Sequence, residues 1–268
     1  MNHAESNQQK IVAIIPARYH STRLPAKVLL PIKNRPLVLW TLSAALSARH
    51  VSRAIVATDD ERIFDVVTNS GYEAVMTSPR HKSGSDRLAE VAKQLTGVSI
   101  IVNVQGDEPL ISPRTIDSAI EALLEDEKAV ISTTCEEITE AKDALSADVV
   151  KVVFDSQNRA LYFSRQPIPF PRDEVKKHGN LENALRENPN LIKTFRKHTG
   201  LYVYRKDFLL EYTSWKQTDL EKLESLEQLR ALENGAVIKV VEVNEPSIGV
   251  DTQEDYERVK AIIEGLGS

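Results

Sequence analysis

The segment Pro16-Ala-Arg-Tyr-His-Ser-Thr-Arg-Leu-Pro-Ala-Lys27 follows a short apolar run and carries three cations, Arg18, Arg23 and Lys27, with the hydroxyl of Ser21 among them. Cations so close repel one another unless an anion joins them. A triphosphate would do so, Arg offering forked donors and Lys a point charge. The same residues could form a solvated basic loop. The chain lacks the G-x-x-x-x-G-K-[ST] of a P-loop and any G-x-G-x-x-G, which disfavours the usual NTPase and dinucleotide chemistries.

A second segment, Gln105-Gly-Asp-Glu-Pro109, follows another apolar run. Gly106 permits a sharp turn and Pro109 stiffens its exit. Asp107 and Glu108 then stand where carboxylates commonly bind Mg²⁺ together with substrate phosphates, or where an Asp simply caps a helix. In Gly249-Val-Asp-Thr252, Asp251 or Thr252 either caps the last helix or places Asp251 against Asp107 to complete a metal position. Ser83-Gly-Ser85 presents backbone N–H groups to an anion or a base edge, or makes an ordinary capped start. Thr58-Asp-Asp60 reads as a cap. Glu224, Glu227 and Gln228 share one face of an expected helix. They form a solvated face or a set of acceptors for sugar hydroxyls.

The elements that must position these residues alternate through the first half. The pattern predicts strands at 11–15 (ended by Pro16), 54–57, 74–76 and 99–104. Helices are expected at 36–48, 61–69, 85–95 and 113–124. Uniformly apolar strands separated by helices point to βαβ units and a mainly parallel sheet. Further on, strands are expected at 149–154, 160–163, 200–204 and 237–243, and helices at 219–233 and 252–264, with Gly235 ending the first of these. The Pro-rich bend Pro167–Pro171 leads into a polar stretch, 172–193, expected to be a lid, an excursion or a disordered segment. We expect a single domain over 11–268, with an arm at about 150–205, after a flexible N-terminus at 1–10.

Composition bounds the rest. The chain has 268 residues, 41% of them hydrophobic and 27% charged, so a full core is available without disulfide or metal support. A net charge of −5 argues against a dedicated nucleic-acid binder. Cys135 is the only cysteine, which excludes an intramolecular disulfide and a cysteine-rich zinc site. No apolar run approaches a membrane span, and residues 1–10 lack a signal-peptide pattern. The expectation is a cytoplasmic protein without membrane insertion.

Taken together, IPARYHSTRLPAKVL, VATDD, HKSGSDRLAEV, VNVQGDEP, VKVVFD, ALYFSRQPIP, HTGLYVYR, LEKLESLEQLRALENG and GVDTQED resemble, in order, the 3-deoxy-manno-octulosonate (Kdo) cytidylyltransferases. The resemblance implies an α/β, three-layer Rossmann-like nucleotidyltransferase fold with a mainly parallel mixed sheet and an inserted dimerisation arm. It implies a homodimer and the reaction CTP + Kdo → CMP-Kdo + diphosphate, with Mg²⁺, for lipopolysaccharide or capsule synthesis. It places Arg18, Ser21, Arg23 and Lys27 on the CTP phosphates. Ala17, Ser83, Arg87 and Gln105 would lie at the nucleotide, and Asp107 and Asp251 on Mg²⁺. Gln105, Arg165, His198, Tyr202, Glu224 and Gln228 would line the sugar pocket, with Arg165 and His198 facing the Kdo carboxylate or hydroxyls. The sugar's anomeric hydroxyl would attack the α-phosphate in line, Arg18, Lys27 and Asp107 being the catalytic set. Competing readings are a cytidylyltransferase for sialic acid or an amino-substituted Kdo, a non-catalytic nucleotide-binding regulator, and a structural dimerisation module. One departure stands out: the family usually has glycine where this chain has Ala26. Either φ is negative there, or Ala26 is strained by about 1 kcal/mol or more.

Overall fold

The computed structural model describes residues 10–265, apart from Thr22, Lys82 and Pro246. Except for Lys10, the N-terminus expected to be flexible lies outside the described residues. In chain order the elements are β1 (Lys10–Ala17), β2 (Pro31–Ile32), β3 (Arg35–Pro36), α1 (Leu37–Leu46), β4 (Arg53–Thr58), α2 (Glu61–Asn69), β5 (Glu73–Met76), α3 (Gly84–Gln94), β6 (Val98–Asn103) and α4 (Pro113–Glu125). They continue with β7 (Ala129–Glu137), α5 (Ala141–Leu145), β8 (Lys151–Phe154), β9 (Ala160–Ser164), α6 (Arg172–His178), α7 (Leu181–Glu187), β10 (Arg196–Arg205) and α8 (Lys206–Tyr212). Last come α9 (Asp219–Glu224), α10 (Gln228–Glu233), β11 (Val237–Glu242) and α11 (Gln253–Gly265). The chain divides into two compact units, one of residues 1–117, 203–214 and 247–268, the other of 118–202 and 215–246.

In the first unit β6, β1, β4 and β5 run parallel in that order. Ile14, Ile15, Ile55, Val56 and Ile101 are fully buried, as strands covered on both faces require. The register pairs Ala17 with Thr58 and Ile14 with Asn103, so the carboxyl ends of β1, β4 and β6 share one edge. The loops carrying Arg18 to Lys27, Asp59 and Asp107 all leave from that edge.

Pro16 does not end the first strand as expected; β1 runs through it to Ala17. Val104 donates its N–H to the Ile14 carbonyl. Pro16, two residues on, turns its missing N–H toward the same side, where β6 has already ended, so no ladder bond is lost. α11 packs Tyr256, Val259 and Ile263 with Ile32, Leu37 and Val250. The Tyr256 hydroxyl donates to the Pro31 carbonyl at 2.6 Å, fixing the start of α11 within this unit.

In the second unit β7 and β11 are parallel, β10 lies beside β7, and β8 is antiparallel to both β9 and β10. Parallel pairings dominate, with the antiparallel ones at β8 in this unit and in the small β2–β3 pair of the first, which makes the α/β class with a mainly parallel mixed sheet. The polar stretch 172–193 is an ordered excursion: it forms α6, α7 and a 3₁₀ turn at Pro189–Thr194. Asn180 caps α7 by accepting from the Asn183 N–H at 2.8 Å. Ala184, Leu185, Leu191 and Phe195 pack with Ile138 and Ala144, so a few apolar residues anchor a mostly polar segment. The helix expected over 219–233 is broken in two at Ser225, whose φ of 52° is left-handed.

Candidate active site

In the first unit the loop bearing Arg18, Arg23 and Lys27 leaves β1 and closes on itself. The Ala26 N–H donates to the Tyr19 carbonyl at 3.0 Å, and the Ala26 carbonyl accepts from Leu29 N–H at 2.8 Å. Ala26 has φ 55° and ψ 23°, so the strained alternative is the one adopted. This geometry aims Lys27 inward, where its side chain is only 13% exposed.

The Lys27 ammonium bonds Asp107 Oδ2 and, at 2.7 Å, Asp251 Oδ1. Arg23 reaches the other Asp251 oxygen at 2.9 Å. Burial works to lower the Lys27 pKa, but the two carboxylates outweigh it and the value is raised. The ammonium is therefore held charged. Asp251 is brought in by backbone pairing, since Val250 N–H donates to the Asp107 carbonyl at 2.9 Å. It is not the helix cap: Thr252 precedes α11, and Asp255 Oδ2 accepts from the Thr252 N–H at 2.9 Å and hydroxyl at 2.8 Å. Gly106 is required for close approach, because a Cβ there would sit 2.9 Å from the Pro16 carbonyl.

Among the described residues, no three His, Cys, Asp or Glu side chains group to hold a metal. Two hard carboxylate oxygens already converging on one cation nonetheless fit Mg²⁺, which takes one or two protein carboxylates and completes its shell with phosphates and water. Arg18 is exposed and donates to the His81 carbonyl at 3.3 Å. Ser21 is partly exposed in the loop, Ala17 is buried at the end of β1, and the Gln105 amide donates to Asn103 Oδ1 at 3.3 Å.

Two expected nucleotide residues have structural partners within the fold. Ser83 caps α3, accepting from the Asp86 N–H at 3.1 Å. Arg87 is fully buried and forks onto Thr77 and Asp59, the latter at 2.8 Å. It ties the turn after β4 to α3. Asp60 caps α2 through the Arg62 N–H, as its motif suggested.

In the second unit Arg165, Glu224, His198, Tyr202 and Gln228 are placed by β9, β10 and the α9–α10 break. The Glu224 carboxylate accepts from the Ser164 hydroxyl at 2.7 Å and the Arg165 N–H at 2.9 Å. The Arg165 guanidinium donates to the carbonyls of Glu224 (2.7 Å), Ala147 (3.0 Å) and Ser225 (3.4 Å). It thus caps the C-terminus of α9, where the carbonyls lack helical partners. Glu224 ends α9 and the buried Gln228 begins α10, so they do not share a face of one helix.

His198 lies edge-on to Phe163 at 5.0 Å and beside Tyr202 at 5.3 Å. Burial pushes its pKa down to about 3, so the ring is neutral near pH 7. It therefore has no positive charge to offer a carboxylate; a neutral imidazole is suited to hydroxyls.

Lys151 escaped the sequence reading. It is fully buried in β8 and donates to the carbonyls of Ser146 (2.7 Å), Val149 (2.6 Å) and Arg165 (2.5 Å). Its signal was a lone cation within the apolar run Val149-Val-Lys-Val-Val153. Thr133, bonded to His198 at 2.9 Å, gave no comparable signal.

Comparison with known proteins accords with this geometry. The cytidylyltransferase family model matches residues 12–242. The 3-deoxy-manno-octulosonate cytidylyltransferase of Trichlorobacter lovleyi is 51% identical over 94% of this chain and 97% of its own length. That of Geobacter sulfurreducens is 50% identical over 93% and 97%. A solved structure of CMP:2-keto-3-deoxy-manno-octonic acid synthetase complexed with CTP superposes with a TM-score of 0.85 at 38% identity, covering 96% of this chain and 99% of that one. A half-buried lysine shared by two carboxylates beside an arginine-bearing loop, on a fold matched over 96% of the chain, leads to one conclusion: the chain belongs to the cytidylyltransferase family.

Proposed function

We propose that the chain catalyses CTP + 3-deoxy-manno-octulosonate → CMP-Kdo + diphosphate, using Mg²⁺. The observation that carries this is the convergence of Asp107 and Asp251 on Lys27 beside Arg23. Two carboxylates and two cations suit a metal–triphosphate complex, in which each charge finds a partner. The names of the relatives supply the sugar.

Asp107 and Asp251 would hold the divalent cation. When bound, it would polarise the α-phosphate and offset charge developing in the transition state. Arg18, Ser21, Arg23 and Lys27 would bind the phosphates and stabilise the leaving diphosphate. With metal and nucleotide bound, Lys27 would exchange carboxylate for phosphate oxygens, which its flexible stem allows. The sugar's anomeric hydroxyl would attack phosphorus in line as the bond to diphosphate breaks, its proton leaving with the diphosphate or to solvent. The protein's task is positioning rather than covalent catalysis. Ala17 and Gln105 would contact the nucleotide, and His198, Tyr202, Glu224, Gln228 and Gln105 the sugar. Ser83 and Arg87 would support the nucleotide site through a helix cap and a buried fork. Arg165 would serve the sugar by fixing Glu224, with its remaining N–H groups directed to the carboxylate.

We further assign the active form to a homodimer in the cytoplasm, with residues 150–205 as the dimerisation arm of a single catalytic domain. Exposed Leu161 (62%) and Phe170 (62%) in that arm suit a covered face. No helix among the described residues is long and apolar enough to cross a membrane. The test is diphosphate release with CTP, UTP, ATP and GTP against Kdo, an amino-substituted Kdo and sialic acid. Release confined to CTP and Kdo supports the assignment. Equal or faster release with another acidic sugar would move the assignment to that sugar, and no release with any pair would end it.

A further inference from the structure

The hydrogen bonds of Thr133 determine which nitrogen of His198 carries the proton. Thr133 is fully buried in β7, and its Oγ1 lies 2.7 Å from the Leu201 carbonyl and 2.9 Å from His198 Nε2. A hydroxyl has one proton to give, and a carbonyl can only accept. Both contacts are hydrogen bonds in one arrangement alone. The threonine donates to Leu201, and the imidazole Nε2–H donates to the threonine oxygen. If Thr133 donated to His198 instead, two oxygens would face each other at 2.7 Å with no proton between them.

We propose that Thr133 is a positioning residue: it holds His198 as the neutral Nε2–H tautomer, so that Nδ1 accepts a hydroxyl of the acidic sugar. This rests on the assignment of His198 to the sugar site and sharpens it. An imidazolium would recognise the carboxylate, whereas a neutral ring with its lone pair on Nδ1 recognises an O–H. The surroundings agree. Phe163 and Tyr202 flank the ring, and burial disfavours its charged form. The His198 backbone N–H is bound to the Val150 carbonyl at 2.8 Å, so the residue is anchored from both sides. Sugar specificity then includes a hydroxyl donor, which a site of this kind rejects strongly when it is missing.

The experiment is long-range ¹H–¹⁵N spectroscopy of histidine-labelled full-length protein near pH 7, with steady-state kinetics on the same samples. The His198 signals are identified by their loss in His198→Gln. The wild type is expected to show a protonated Nε2 and an unprotonated Nδ1. Thr133→Ser keeps the hydroxyl and should retain both the pattern and the KM for Kdo within about two-fold. Thr133→Val should show mixed tautomers and a KM for Kdo raised about ten-fold, with the KM for CTP within about two-fold. A wild-type ring protonated on Nδ1, or on both nitrogens, overturns the proposal without any variant. So does a Thr133→Val protein with unchanged tautomer and unchanged Kdo dependence. If His198→Gln itself leaves the KM for Kdo unmoved, the assignment of His198 to the sugar site fails. A wild-type Nε2–H ring whose tautomer is lost in Thr133→Val would still show the proton arrangement to be correct.

Discussion

Ala26→Gly should stabilise this protein, the reverse of the usual sign for that exchange. Ala26 sits at φ 55°, ψ 23°, where Cβ crowds the following carbonyl and costs about 1–2 kcal/mol. Glycine removes that strain but enlarges the unfolded ensemble, at a cost of about 0.4–1 kcal/mol. The net gain is about 0.5–1 kcal/mol. For a chain of this length, that is a rise of roughly 1–3 °C in Tm if unfolding is cooperative. The comparison variant is Ala261→Gly, at an exposed position within α11. There glycine should cost about 0.5–1 kcal/mol, because the backbone is helical and Cβ is unstrained. Calorimetric scans of both variants beside wild type give the two signs directly. Ala26→Gly should leave kcat/KM for CTP within about two-fold, since the loop bonds to Tyr19 and Leu29 remain. Ala26→Val adds β-branching to the same left-handed position and should lower both Tm and CTP use. If Ala26→Gly loses stability as Ala261→Gly does, the strain argument is wrong.

Other perturbations separate the remaining roles. Asp107→Asn and Asp251→Asn should each lower turnover at least a hundred-fold while the far-ultraviolet circular dichroism stays native; activity within a few-fold of wild type removes that residue from the metal site. Lys27→Met takes a competing cation from between the two carboxylates. Mn²⁺ titrated without nucleotide should therefore bind about ten- to a hundred-fold more tightly, while the KM for CTP rises; unchanged Mn²⁺ affinity would contradict the shared-lysine argument. Arg165→Ala should reduce Kdo use about ten- to a hundred-fold and also destabilise the protein by about 2 kcal/mol, because three carbonyls lose a donor, with CTP binding by calorimetry near wild type. His198 has a folded pKa of about 3 against an ordinary 6.5, so the unfolded chain takes up its proton first as pH falls. Its contribution is complete above pH 6.5 and is lost toward pH 3, at up to about 1.4 kcal/mol per pH unit. Urea unfolding from pH 7 to 4 should show this slope in wild type and a shallower one in His198→Gln.

Much of this molecule is legible along the chain because its information is local. Apolar runs such as Ile11–Ile15 and Ile100–Val102 declare buried parallel strands, and the helices between them follow from periodicity. The cation-rich loop at Arg18 to Lys27 and the turn at Asp107 are contiguous segments, so their chemistry could be named without coordinates. Local patterns failed where weak signals were resolved by packing. The polar residues 172–193 fold into helices because a few apolar side chains reach Ile138 and Ala144, which lie far away in sequence. The run of hydroxyl residues in β7 was equally silent. Ser132, Thr133 and Thr134 are buried there because their hydroxyls find partners.

The residue types at the site, the alternation that builds a parallel sheet, and the family resemblance were all written in the linear chain. Three questions stayed open until long-range contacts answered them. Whether Asp251 capped a helix or met Asp107 depended on Val250 pairing with the Asp107 carbonyl and on Thr252 taking the cap. Whether Arg165 braces its surroundings depended on the left-handed break at Ser225, which exposes carbonyls for its guanidinium to bind. The charge of His198 depended on Phe163, Tyr202 and Thr133, brought around it by β7, β9 and β10. Hydrogen bonds and desolvation act over a few ångströms, and such distances between residues remote in the chain exist only once the backbone has folded.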